Sequence, residues 1–140
     1  MFKLHESHEN PAGLSPVSLA FVGDAIFELL VRERLVAKGG MPAGKLHKIS
    51  VSMVRAAAQA TAYQAVREAA TEPELEILRR GRNVSLSRLP KSCTPDEYHK
   101  ATALEALLGY LYLGRQYHRL EEVFELIMVA QQRERLEEGV

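Results

Sequence analysis

Apolar residues recur at three- and four-residue intervals over most of the chain, which is the spacing of one face of an α-helix. No segment of strand length alternates apolar and polar residues. The pattern therefore predicts an all-α fold. Because no linker, repeat or low-complexity stretch divides the chain, we expect one domain over residues 1–140.

Local signals indicate where the helices begin and end. Ser15 followed by Pro16 is typical of a helix start, and Gly39-Gly40 is typical of a helix end. Thr71 and Thr94 each precede a Glu by three residues, which is the capping-box pattern of a helix N-terminus. These signals predict helices over 16–38, 42 to about 49, 52 to about 70, about 73–80, 95–113 and 117 to about 135.

One sizeable segment, residues 81–92, lacks a helical pattern. It is polar and basic, and a predicted helix lies on each side of it. Irregular segments of this length inside a compact domain are often functional. We therefore expect it to contribute to binding.

The charges are balanced in number but segregated along the chain. The 18 basic and 18 acidic residues give a formal net charge of zero, which argues against a simple electrostatic nucleic-acid binder. Residues 34–67 and 77–95 nevertheless contain Lys and Arg but no acid, and many of the acids lie after residue 120. Such segregation can leave a basic face that contacts phosphates; the alternative is that surface helices happen to be basic.

Hydropathy and cysteine usage exclude several classes. No apolar run approaches the roughly 20 residues that span a bilayer, and the first residues lack the apolar core of a signal peptide. The single cysteine, Cys93, excludes an intrachain disulfide and a cysteine-based metal cage. We therefore expect no membrane contact and a reducing, cytoplasmic setting.

Acidic side chains in two apolar segments are the strongest chemical signal. Asp24 and Glu28 lie within the apolar stretch 19–31, and Glu105 lies within a second one. A buried carboxylate needs a partner, which could simply be Arg or Lys. Carboxylates facing inward from packed helices also build divalent metal sites, and oxygen ligands without cysteine suit Mg²⁺ or Mn²⁺. Spacing alone leaves both interpretations open.

Three motifs resemble those of a known family. The segment from Leu19 to Leu30, which includes Phe21-Val22-Gly23-Asp24-Ala25, resembles the signature helix of the ribonuclease III catalytic domain. Residues 102–112, around Glu105, resemble the second acidic motif of that family. Residues 79–83 resemble a segment found in one short branch of the family. This branch is called Mini-ribonuclease III and lacks a double-stranded-RNA-binding domain. The resemblance covers about residues 14–130.

The resemblance implies a ribonuclease III-like helical endonuclease domain, with a core over about 14–130 and short extensions at each end. It implies a Mg²⁺-dependent endoribonuclease, with Mn²⁺ as a substitute, in which Asp24 and Glu105 are the metal-binding, catalytic carboxylates. The expected substrate is double-stranded or structured RNA, in this branch precursor large-subunit (23S) ribosomal RNA, cut to 5′-phosphate and 3′-hydroxyl ends. A homodimer and an accessory ribosomal protein are the expected partners.

The chain departs from the larger members of the family at two acidic positions. Those enzymes have further acids seven residues before the signature Asp and three before the second-motif Glu, where this chain has Val17 and Thr102. The loss need not mean inactivity, but it keeps open an alternative function, a non-catalytic RNA-binding or ribosome-associated module. Asp96, Glu97 and Glu28 are nearby acids that could assist a metal, although helix capping explains the first two and a salt bridge explains Glu28 equally well.

The resemblance also suggests how the chain contacts a second copy and RNA. Phe21 stands where the family places an aromatic residue in the dimer interface, whereas core packing is the default for a Phe in an apolar helix. Cations near the 81–92 segment would contact RNA phosphates, the alternative being solvated surface charges. These cations are Arg79, Arg80, Arg82, Arg88 and Lys91.

Overall fold

The computed structural model describes residues 10–85 and 92–138, and these residues form helices joined by short turns. A 3₁₀ helix over Pro11–Gly13 precedes the α-helices, and no β-strand occurs in the described part of the chain. The α-helices are α1 (Pro16–Lys38), α2 (Ala43–Val54), α3 (Ala56–Ala60), α4 (Tyr63–Ala69), α5 (Glu72–Arg82), α6 (Pro95–Leu113) and α7 (Tyr117–Glu138). The predicted all-α fold class is confirmed.

Helix α6 lies at the centre of the fold and packs against α1, α3 and α5. Solvent is fully excluded from Ala103, Leu104, Leu107 and Leu111. A helix that is apolar on nearly every side is stable only where other helices surround it. Glu105 therefore places a carboxyl group in the most enclosed helix of the protein.

Helix α1 is apolar on one buried face and leaves another face in solvent. Leu19, Phe27, Val31 and Leu35 follow one another at helical spacing and are all buried. The helix ends where Gly39 adopts a φ of 72°, a left-handed conformation that glycine accepts readily. The start and end predicted for this helix are thus confirmed.

The prediction of a single helix over 52–70 is wrong, because the helical conformation is interrupted twice in this region. Helix α2 continues past the predicted end near Ile49 to Val54, and Arg55 is then extended, with φ −64° and ψ 153°. A second break after Ala60 separates α3 from α4. The first break leaves main-chain carbonyls without helical partners, and two buried glutamine side chains, Gln59 and Gln131, donate hydrogen bonds to them.

Both predicted capping boxes are present. The Thr71 hydroxyl accepts from the Glu74 N–H at 3.4 Å, and the Glu74 carboxylate accepts from the Thr71 N–H at 3.0 Å. Thr94 and Glu97 make the equivalent pair at 3.1 and 2.9 Å. Each pair satisfies two main-chain donors at a helix start, so these boundaries follow directly from local sequence.

None of the helices in residues 10–85 and 92–138 combines the length and the apolar character needed to cross a bilayer.

Candidate active site

Helices α1 and α6 approach each other main chain to main chain, and two glycines make this possible. A Cβ atom on Gly23 would overlap the carbonyl oxygen of Glu105, and one on Gly109 would overlap the carbonyl oxygen of Leu19. Any side chain at either glycine would force the helices apart. The close approach brings Asp24, the residue after Gly23, beside Glu105.

The two acidic residues predicted to form the site are adjacent in the structure. The Asp24 carboxyl lies close enough to Glu105 to act on the Glu105 carboxyl; Asp24 is exposed and Glu105 is half-buried. Burial, reinforced by the neighbouring Asp24 carboxyl, raises the pKa of Glu105 from its usual 4.5 to about 8. Within the described residues neither carboxylate forms an ion pair with Lys, Arg or His.

Gln59 of α3 completes the contacts to Glu105 that the structure shows. Its side-chain Nε2 donates to Glu105 Oε2 at 3.3 Å and to the Val54 carbonyl oxygen at 2.6 Å. The hydrogen bond to Glu105 favours the ionised carboxylate and so opposes the rise in its pKa. Sequence reasoning missed Gln59; its one signal is a polar residue among the alanines of α3.

The positions where larger relatives have further acids carry no ligand here. The Thr102 hydroxyl is buried and donates to the Tyr98 carbonyl oxygen at 2.8 Å, so it is engaged with its own helix. Val17 is exposed. In the part of the chain that the structure describes, no three His, Cys, Asp or Glu side chains converge as metal ligands. The site therefore offers two carboxylates, a donor set that suits Mg²⁺ when water completes its shell.

The other acids considered as metal ligands have partners of their own. Asp96 accepts from Arg82 at 3.1 Å and from Lys100 at 2.9 Å, and these hydrogen bonds lower the pKa of Asp96. Glu97 caps α6. Glu28 accepts from Arg32 at 2.6 Å, one turn further along α1. These contacts support the structural explanations for all three acids.

The arginines of α5 are engaged within the protein. Arg79 makes two hydrogen bonds to Glu76, at 3.0 and 2.5 Å. Arg80 donates to the carbonyl oxygens of Ala12 and Leu14 at 2.6 and 3.0 Å and so fixes the 3₁₀ helix against α5. Arg82 pairs with Asp96 and also lies over the ring of Tyr63, at 5.3 Å from its centroid. Arg88 and Lys91 lie outside the described residues.

Cations without acidic partners are found instead on α2 to α4. Arg67 is exposed, and it lines a cleft with Arg82 and Lys100. Ala60, which follows Gln59 in α3, borders the same cleft. Four exposed cations of α2, of α4 and of the turn after α2 make no ion pair with any described residue. They are Lys45, Lys48, Arg55 and Arg67.

Phe21 points away from the core, with 81% of its surface exposed. Val17, Leu29 and Val36 are exposed on the same sector of α1, whose helical periodicity also places Asp24 at the edge of this sector. Core packing, the default explanation for Phe21, is therefore wrong in the isolated chain. We refer to these four apolar residues as the α1 face. Exposed aromatic and aliphatic residues clustered on one helix are typical of an interaction surface.

Comparisons with known proteins agree with this architecture. The model of the Ribonuclease III domain matches residues 17–116. A Mini-ribonuclease 3 from Symbiobacterium thermophilum is 45% identical over 116 residues, covering 83% of this chain and 89% of the relative. One from Synechocystis is 42% identical over 130 residues, covering 89% of each. A crystal structure of a Fusobacterium nucleatum protein superimposes with a TM-score of 0.79 at 30% identity, covering 89% of this chain and 99% of that one. The chain belongs to the ribonuclease III family of endoribonucleases, within its Mini-ribonuclease III branch.

Proposed function

We propose that the protein is a Mg²⁺-dependent endoribonuclease that hydrolyses phosphodiester bonds in double-stranded or structured RNA. The observation that carries this proposal is the Asp24–Glu105 pair, two neighbouring carboxyl groups that form no ion pair with any described Lys, Arg or His. Like charges held together in a half-buried site are costly unless a proton or a cation lies between them. A structural role would be better served by an Arg or Lys partner.

Asp24 and Glu105 would hold the divalent cation, with Mg²⁺ favoured by the all-oxygen donors and Mn²⁺ as a substitute. When bound, the cation supplies an activated water and offsets the charge that develops on the phosphate. Glu105 must release its proton to serve as a ligand, and the Gln59 N–H supports its ionised form. Two carboxylates are few, so substrate phosphate and water would complete the coordination.

The RNA would be held by basic side chains of the protein. Double-stranded RNA is recognised mainly through its shape, its 2′-hydroxyls and its backbone, which needs cations rather than stacked aromatic residues. The predicted contacts by Arg79, Arg80, Arg82, Arg88 and Lys91 remain part of the proposal. Lys45, Lys48, Arg55 and Arg67 are added because they are exposed and make no ion pair with any described residue. Arg80 contributes least, since its guanidinium is committed to two main-chain carbonyls.

A homodimer formed through the α1 face would place two sites on one duplex. Cutting both strands of a duplex requires two sites related by two-fold symmetry, which is the symmetry of most homodimers. Asp24 borders the α1 face, so pairing through this surface would bring the second site close to the first. Burial of Phe21 in this contact would contribute the most free energy to dimer formation.

The branch to which the chain belongs suggests precursor large-subunit (23S) ribosomal RNA as the substrate, in the cytoplasm, with a ribosomal protein as a possible aid to its presentation. The test is incubation of the purified protein with Mg²⁺ and a duplex-containing precursor, with and without ribosomal protein, followed by mapping of the product ends. We expect cleavage to 5′-phosphate and 3′-hydroxyl ends. Asp24→Asn should reduce the rate by about a thousand-fold, or about 4 kcal/mol in activation free energy.

Glu28→Gln is the matched control, because it removes a negative charge one turn from Asp24 where Arg32 already neutralises it. It should cut at a rate close to that of the wild type. Failure of the wild type to cut any duplex, or equal cleavage by Asp24→Asn, would contradict the enzymatic proposal. RNA binding without cleavage would instead support the non-catalytic, ribosome-associated module.

The dimer is tested separately by light scattering at micromolar concentration. The wild type should have twice the mass of one chain, and Phe21→Glu should be monomeric because it places charge in the centre of the α1 face. Val129→Glu, which replaces an exposed apolar residue on α7, is the matched control. A monomeric wild type would contradict the homodimer.

A further inference from the structure

Two buried glutamines meet at the break between α2 and α3. Gln59 is 2% exposed and Gln131, from α7, is 3% exposed. Burying an amide costs free energy unless its groups form hydrogen bonds, so each glutamine must be explained by its partners. Gln131 donates only to main-chain carbonyls, whereas Gln59 donates to a carbonyl and also to Glu105.

Both glutamines compensate the break at Arg55. In a continuous helix the carbonyls of Met53 and Val54 would accept from residues 57 and 58, but the extended Arg55 removes these bonds. Gln131 Nε2 donates to the Met53 carbonyl at 3.0 Å and to the Ala58 carbonyl at 3.2 Å. Gln59 Nε2 donates to the Val54 carbonyl at 2.6 Å. Both residues therefore satisfy main-chain carbonyls that the helix break leaves without partners.

Gln59 alone reaches a functional group. One N–H of its amide is used on the Val54 carbonyl, which leaves the second for Glu105 Oε2 at 3.3 Å. The amide is thus anchored to main chain on one side and holds one carboxylate oxygen on the other. Because the anchor is a main-chain atom and the amide is buried, the Gln59 amide is held in place and restrains the Glu105 carboxylate through this hydrogen bond.

We propose that Gln59 is a positioning residue that orients the Glu105 carboxylate for the divalent cation, and that the helix break at Arg55 supplies the carbonyl that anchors it. This rests on the function proposed above. The chemistry of the residue fits the role: a neutral donor orients a carboxylate without cancelling the charge that attracts the cation, as Lys or Arg would. A hydrocarbon side chain of the same size would leave the Glu105 oxygen without a donor.

The test compares Gln59→Met with Gln131→Met, which loses main-chain contacts at the same break but touches no carboxylate. Binding of Mn²⁺ alone, without RNA, is measured by electron paramagnetic resonance, and cleavage is measured over a range of Mg²⁺ concentrations. We expect Gln59→Met to weaken Mn²⁺ binding about 10- to 100-fold and to lower kcat, with little change in the KM for RNA. Gln131→Met should lower Tm but leave Mn²⁺ affinity within about two-fold, because its amide donors contact only carbonyls.

Equal Mn²⁺ affinity in the wild type and folded Gln59→Met would overturn the proposal, as would equal losses in the two variants. If Gln59→Met does not fold, Gln59→Asn takes its place, because the shorter amide can anchor to Val54 but cannot also reach Glu105; unchanged Mn²⁺ affinity in this variant would overturn the proposal equally. The Asp24→Asn variant distinguishes an error in the metal site from an error in the proposed activity. If it binds Mn²⁺ as the wild type does, the metal site itself is misplaced, whereas a wild type that binds Mn²⁺ but cuts no RNA contradicts only the proposed activity.

Discussion

Glu74 and Glu105 are both shielded glutamates on helices that pack against each other, and their surroundings are opposite. Glu74 accepts two hydrogen bonds from Arg119, at 3.0 and 2.9 Å, and caps α5 through Thr71. Although burial raises the pKa of Glu74, these hydrogen bonds and the Arg119 charge outweigh it, so the pKa is lowered. Glu105 has another acid and a neutral amide as neighbours, and its pKa is raised to about 8. The first arrangement stabilises the fold, and the second leaves a charge that an external cation can satisfy.

The comparison predicts its largest effect for Glu105→Gln. RNA cleavage should fall by about a thousand-fold, because a neutral amide cannot hold the divalent cation. The free energy of unfolding without metal at pH 8 should not fall, since the variant removes a carboxyl group that burial and Asp24 disfavour in its charged form. The cleavage rate per folded molecule and urea denaturation measure these two effects. If Glu105→Gln lost stability but not cleavage, the roles assigned to Glu74 and Glu105 would be reversed.

The complementary variant is Glu74→Gln, for which we expect a loss of stability and little loss of activity. It removes one of the two carboxylates that pair with Arg119 and leaves a neutral amide in its place, while the Ala69 carbonyl and Glu122 still accept from the guanidinium. Losing the charged hydrogen bonds of this shielded pair, while Arg119 keeps Glu122, should cost about 2 kcal/mol. Urea denaturation checks this value. A variant as stable as the wild type would show that the Arg119 contact is not structural.

The third prediction concerns pH and has a smaller effect. Because the pKa of Glu105 is raised in the folded state, the native protein holds a proton that the unfolded chain releases above about pH 4.5. The contribution of Glu105 to stability is therefore complete below pH 4.5 and is lost as the pH rises through about 8. In EDTA, Tm should fall between pH 5 and 8 more in the wild type than in Glu105→Gln.

Adding Mg²⁺ should counter this loss, raising the Tm of the wild type more at pH 8 than at pH 5, where proton and metal compete for Glu105. Glu105→Gln should show a smaller rise at both pH values. Identical pH profiles for the two proteins would mean that Glu105 titrates normally, and the contrast with Glu74 would then disappear.

The features that the sequence predicted correctly are those that depend on interactions between neighbouring residues. The ends of α1 and the capping boxes at Thr71 and Thr94 depend on residues within one turn, and each is present. The two carboxylates could be named because Asp24 and Glu105 lie in recognisable motifs. Their contact depends on the approach at Gly23, which the sequence indicates only as a small residue in an apolar helix.

The parts that escaped prediction depend on distant residues. The break at Arg55 is compensated by Gln131, which lies 78 positions from its acceptor Met53, so an alanine-rich segment of high helix propensity is still interrupted. The contact between Gln59 and Glu105 spans 46 positions. Likewise, sequence locates the arginines of α5 but cannot show that Arg80 is committed to main-chain carbonyls.

The contact at Gly23 and Gly109 has a consequence for how such a site can diverge. The separation of the helices that bear the two carboxyl groups is set by main-chain radii, because no side chain intervenes there. Leu104, Leu107 and their neighbours can exchange for other apolar residues, at a cost in stability, without altering that separation. Substitutions around such a site can leave its dimensions unchanged, whereas a single added methyl group at either glycine changes them.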